Sequence, residues 1–101
     1  MINQLLLVGI IKKIPLYDLK GSQNELLIEV KRSYKNSNGV YETDLFKCYL
    51  WFAISKKISL NCKEGDLVAV RGRIVDDNNT YKIVAEQVVL LNKSLEQVFV
   101  R

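Results

Sequence analysis

LLIEVKRSYKNSNGVYETDLFKCYLWFAISKKISLNC, residues 26–62, decides the fold. Leu26, Ile28 and Val30 alternate with Leu27, Glu29 and Lys31, so a strand here buries its even positions. Lys35-Asn36-Ser37-Asn38-Gly39 then reads as a hairpin turn. A second run of alternation fills residues 41–52. Phe46, Cys48 and Leu50 should face a core, and Leu45, Lys47, Tyr49 and Trp51 should share the opposite face. Over residues 53–62 the alternation breaks. Ile54, Ile58 and Leu60 predict a helix of one or two turns there.

The flanks extend the pattern. Residues 2–13 are apolar and read as a long first strand, with Gly9 marking a bulge or sharp bend. Residues 15–23, with Gly21-Ser22, form a loop. Lys63-Glu64-Gly65-Asp66 ends the helix. A fourth strand covers 67–75, a turn 76–80 and a fifth strand 81–91, leaving a weakly amphipathic tail. Three strands, a short helix and a two-strand hairpin follow one another in the order of an OB-fold. The expectation is therefore an all-β, five-stranded, partly open Greek-key barrel with one short helix between strands 3 and 4. One domain should span 1–91, with a short extension over 92–101.

Composition narrows the function. The chain has 101 residues, enough for one domain. It contains no His, which removes the commonest general base, and it shows no glycine-rich phosphate loop or clustered carboxylates. No enzymatic activity and no cofactor are expected. Cys48 and Cys62 lack metal-ligand spacing and read as small buried thiols, so no metal site is expected. The apolar runs are too short to cross a bilayer, and no basic leader precedes the first one. These features predict a cytoplasmic, nucleoid-associated protein with no membrane partner.

Charge and aromatic residues concentrate together. Residues 31–57 hold Tyr34, Tyr41, Phe46, Tyr49, Trp51 and Phe52, six of the nine aromatic residues. Six cations there (Lys31, Arg32, Lys35, Lys47, Lys56 and Lys57) face only Glu42 and Asp44, which accounts for the whole net charge of +4. Cations neutralise phosphates and flat rings stack on unpaired bases, so the mixture suits a single strand. The alternatives are that Tyr49 and Trp51 pack against another subunit, or that Trp51 simply caps the barrel. Arg71 and Arg73 add two cations on one strand face, with Gly72 between them leaving room for a neighbouring backbone. They could clamp phosphates, or they could be solvated ends of a curved strand.

The chain resembles the bacterial single-stranded DNA-binding protein family, of the short kind found in Gram-positive bacteria and their phages. The resemblance lies in INQLLLVGII with Lys13 and Pro15, VKRSYKNSNGVYETDLFKCYLW, CKEGDLVAVRGRI and IVAEQVVLL. It implies base stacking at Tyr34 and Trp51 and a DNA contact at Lys47. Leu45 falls at a site that is aromatic in many members, so one platform should be weakened. It also implies pairing of the first strand with a second subunit through Ile2, Gln4, Leu5, Leu6 and Leu7. A homo-oligomer is expected, a tetramer before a dimer.

Three features depart from the family pattern. The turn at 76–80 is short and acidic, Ile10 replaces a polar residue, and the sequence ends at Arg101 where members continue into an acidic tail. Recruitment of replication proteins through such a tail is not expected. The reading is sequence-nonspecific binding and protection of single-stranded DNA in replication, recombination or repair. The binding set is Lys31, Arg32, Tyr34, Lys35, Leu45, Lys47, Tyr49, Trp51, Arg71 and Arg73. The alternatives are an OB-fold accessory protein bridging a replication or primosome complex, and single-stranded RNA as ligand.

Overall fold

A computed structural model describes residues 1–15 and 24–91. Five strands and one helix follow in order: β1 Leu5–Lys13, β2 Glu25–Lys35, β3 Tyr41–Tyr49, α1 Phe52–Asn61, β4 Leu67–Asp77 and β5 Thr80–Leu90. The expected extension over 92–101 lies outside the described residues. So does all of the expected loop except Pro15.

The strands form a barrel in the order β1-β2-β3-β5-β4. It is closed rather than partly open. Every neighbouring pair is antiparallel except β3 and β5, which meet in parallel through Cys48↔Ile83 and Tyr49↔Val84. The alternation of apolar residues selects the face that turns inward. Leu26 and Ile28 on β2, Cys48 on β3, Val68 and Val70 on β4 and Ala85 on β5 are buried together with Ile11 and Leu50. Phe46, expected inside, packs against this core while half-buried.

Two glycines allow the barrel its curvature. Gly9 carries no bulge. The register shift in β1 lies between Ile11 and Lys13 instead. A Cβ on Gly9 would collide with the carbonyl oxygen of Glu29, so glycine here serves close approach between backbones. Gly72 stands the same way against the carbonyl of Val84, beside a register shift in the β4–β5 pairing.

The first strand is shorter than expected because Asn3 makes a different kind of edge contact. Its side-chain amide donates to the Ile74 carbonyl at 2.6 Å and its Oδ1 accepts from the Ile74 amide at 3.1 Å. The helix, in turn, is longer than expected. Ile58 enters the core and Ser55, one turn earlier, is buried with its hydroxyl 3.1 Å from Asn24 Oδ1. Ser59 donates to the Pro15 carbonyl at 2.8 Å, fastening α1 to the segment just after β1. Beyond the helix, Asp66 Oδ2 accepts from the Lys63 amide, and Gly65 donates to the Ile11 carbonyl. Gly65 has φ 94°, a left-handed conformation that glycine adopts readily.

The β4–β5 turn is tighter than the expected 76–80. Asn78 and Asn79 both have positive φ, 48° and 67°, the pattern of a two-residue type I′ hairpin. Asparagine tolerates that region, which explains the Asp-Asp-Asn-Asn sequence.

Candidate nucleic-acid interface

The outward face of β2 and β3 is set by register. Lys31 lies opposite Thr43, Glu29 opposite Leu45, Leu27 opposite Lys47 and Glu25 opposite Tyr49. Partners in such a pair share one face, so Leu45, Lys47 and Tyr49 line up as expected. Leu45 is 59% exposed. Lys47 extends across the sheet to within 3.7 Å of Glu25.

Trp51 lies just beyond β3, at the N-cap of α1, with an extended backbone and no side-chain capping bond. It is 71% exposed. The extended conformation continues the alternation of β3 for two further residues, so Leu50 turns in and Trp51 turns out. Between Trp51 and Tyr49 lies a cleft of about 300 Å³ lined also by Asn24, Leu50, Phe52, Lys82 and Val84. Lys82 Nζ stands 4.8 Å from the centre of the Tyr49 ring. Lys82 was not in the expected set. The parallel β3–β5 contact that brings it here is nonlocal, and alternation carries no signal for it.

The two β4 arginines occupy different neighbourhoods. Tyr49 neighbours Val84, and Val84 neighbours Arg73, so Arg73 joins the row that crosses the barrel at Tyr49. Arg73 Nε is 3.9 Å from Glu86. Arg71 lies instead between Leu6 of β1 and Gln87 of β5. Leu6 is 67% exposed, and in the next row Val8, Ala69 and Val89 align, with Val8 and Val89 exposed.

Arg32 turns to the opposite face of the β2–β3 hairpin from Lys31. Its guanidinium donates to both oxygens of Asp44, at 2.8 and 3.0 Å, and to Glu42 at 2.6 Å. These bonds raise the guanidinium pKa further and hold the Asp44 carboxyl below its ordinary range. Arg32 thereby braces the hairpin by linking β2 to β3. Tyr34 sits where the β2 register shifts, between Lys31 and Lys35, and is 66% exposed.

At the first strand, alternation divides the expected subunit-contact residues. Leu5 and Leu7 turn inward and are half-buried, whereas Ile2, Gln4 and Leu6 are exposed. Residues 5–9 pair with β4, and β2 joins β1 only from Ile10 onward. One backbone edge of residues 5–8 therefore has no strand beside it among the described residues.

The thiols differ from each other. Neither forms a disulfide; Cys48 is buried, with its pKa pushed up to about 11 by that burial, and Cys62 is half-buried rather than buried. Among the described residues no group of three or more His, Cys, Asp or Glu could hold a metal ion, and no helix is long and apolar enough to cross a membrane.

A small closed barrel with an aromatic and cationic outer face and a ring-lined cleft defines an OB-fold protein with a surface suited to single-stranded nucleic acid. Residues 2–91 match the single-strand binding protein family, and the chain belongs to it. It is 32% identical over 83 residues to single-stranded DNA-binding protein 1 of Lactococcus lactis subsp. lactis, covering 77% of this chain and 54% of that protein. It is 32% identical over 81 residues to single-stranded DNA-binding protein 1 of Streptococcus pyogenes serotype M18, covering 77% and 62%. The matches thus span little more than half of these relatives' length. Among solved structures, the Plasmodium falciparum SSB complex with single-stranded DNA superposes with a TM-score of 0.68 at 15% identity, over 90% of this chain and 96% of that one. The small single-stranded DNA-binding protein of Streptomyces coelicolor superposes at 0.64 and 16% identity, over 92% and 97%. At such identities these two structures speak for the fold.

Proposed function

We propose that this protein binds single-stranded DNA without sequence preference and protects it during replication, recombination or repair. The observation that carries this reading is the exposed Trp51 ring beside a cleft shared with Tyr49 and Lys82. Trp51 and Tyr34 offer ring faces for bases. Lys31, Lys35, Lys47, Lys82 and Arg73 lie on the outer rows and can neutralise phosphates. Leu45 offers apolar contact without a ring. Arg32 supports this face from behind, and Arg71 stands apart with the exposed apolar residues of β1.

That apolar face and the open edge of residues 5–8 support a homo-oligomer. An exposed strand edge is a liability unless another strand covers it. Ile2, Gln4 and Leu6 are the side chains available for such a contact, with a tetramer preferred over a dimer.

Titration with labelled oligo-dT, competed by a hairpin duplex and by oligo-U across a salt series, tests the binding reading. Four or five phosphate contacts give a slope of log K against log salt of about −3. A duplex that competes as well as oligo-dT would remove the stacking argument. A slope near zero would remove the phosphate contacts.

A further inference from the structure

The β2–β3 hairpin carries a second group of aromatic and basic residues. Tyr41 opens β3 and shares the face of Thr43, Leu45, Lys47 and Tyr49 by alternation. Lys31 Nζ lies 4.9 Å and Lys35 Nζ 5.6 Å from the centre of its ring, which is part of a side chain 42% exposed. At ~3.3 Å per residue Tyr41 stands about 26 Å along the strand from Tyr49 and about 13 Å beyond Leu45.

The hairpin is built to hold this ring in place. Asn36 Oδ1 accepts from the amides of Asn38 and Val40, and the Asn36 amide donates to the Val40 carbonyl at 2.8 Å. Asn36 Nδ2 also donates to Glu42, which with Asp44 takes the Arg32 guanidinium on the far face. The hairpin thus has two electrically distinct sides. One holds Lys31, Lys35 and Tyr41. The other holds one cation against two carboxylates. A polyanion is drawn more strongly to the first side than to the second.

We propose that Tyr41, Lys31 and Lys35 form a nucleotide subsite, in which the ring takes a base and the two ammonium groups take the phosphates on either side. This rests on the single-strand reading above. It extends the path of the strand past Leu45 and out onto the hairpin. Stacking a base on an exposed ring outweighs an exposed cation–π contact, so the incoming base displaces a lysine from the ring face. The displaced ammonium stays within reach of the phosphate of the same nucleotide. The three side chains therefore match both parts of their ligand.

The test compares wild type, Tyr41→Leu and Tyr41→Phe on oligo-dT and on an equal-length strand of abasic residues, with thermal melts alongside. Tyr41→Leu should weaken oligo-dT binding about tenfold, the effect of one lost stacked base, and leave abasic-strand binding within about twofold. Tyr41→Phe should bind oligo-dT like wild type. Tyr41→Thr, which also suits a strand, replaces the leucine variant if that one melts early. Unchanged oligo-dT binding by the ringless variants overturns the subsite while the wider reading stands. An equal loss on both strands also overturns it, because the ring would then serve only to place the lysines. Wild type that fails to bind oligo-dT overturns the wider reading and the subsite together.

Discussion

Replacing Trp51 with alanine separates a binding role from a packing role. The side chain is 71% exposed, so less than a third of its surface is covered. For an indole of about 250 Å² that is ~70 Å², or at most about 2 kcal/mol at ~25 cal/mol per Å². A tryptophan truncated within a core costs about 3–5 kcal/mol. The helix does not depend on the side chain either. Trp51 caps α1 without a side-chain bond, and its carbonyl still accepts from the Ser55 amide at 2.9 Å after substitution. The melting temperature should therefore fall by no more than about 8–16 °C. Affinity for oligo-dT should fall by about 1–3 kcal/mol, roughly 5- to 150-fold. Trp51 is the sole tryptophan, so quenching of wild-type emission by oligo-dT reports on the ring directly. Unquenched emission at saturation, with unchanged affinity and a steep loss of melting temperature in the variant, would refute the reasoning and assign Trp51 to packing.

Gly72→Ala should destabilise the barrel by about 2–3 kcal/mol in urea unfolding, because the new Cβ meets the Val84 backbone rather than a movable side chain; a neutral result would show that the two strands can separate there freely. The Asp44 carboxyl should titrate below its ordinary value of 3.8 in an NMR pH series, held down by its bonds to Arg32, and Arg32→Gln should return it upward. A depressed carboxyl stabilises the fold above about pH 4 and loses that contribution as pH falls through the lower folded pKa, so Arg32→Gln should narrow the difference between neutral and acid stability. Cys48 should resist iodoacetamide at pH 8 in the folded protein and react on unfolding, since burial keeps its thiol protonated up to about 11. Mass spectrometry of the alkylated peptide reads this, and rapid native modification would contradict the burial.

Local periodicity made most of the barrel readable. Leu26 with Ile28 and Cys48 with Leu50 betray their strands because a half-buried sheet forces every second residue inward. The same rule overran the end of β3. Trp51 remains extended and outward-facing although the strand has ended, so alternation alone could not locate the boundary. The helix length was hidden by its composition. A small polar residue, Ser55, is buried and a large apolar one, Leu60, is exposed, which blurs the helical stripe. Arg32 was recoverable in principle. The turn at Asn36 brings residue 32 opposite Glu42 and Asp44, and all three have the same parity. Lys82 was not recoverable, because it reaches Tyr49 only through two parallel residue pairs joined late in the chain.

Those two pairs, Cys48↔Ile83 and Tyr49↔Val84, make up the β3–β5 ladder, whereas β4 and β5 pair along most of their length. The barrel is a hoop with one short clasp. Thermal opening should begin there, and amides on both sides should exchange with solvent sooner than those of Val68 or Val70. Tyr49 and Lys82 stand on opposite sides of the clasp, on its outer surface. A strand lying across both would hold it shut. By thermodynamic reciprocity, whatever tightens the clasp also tightens the grip on the strand, and whatever loosens it lets the strand go.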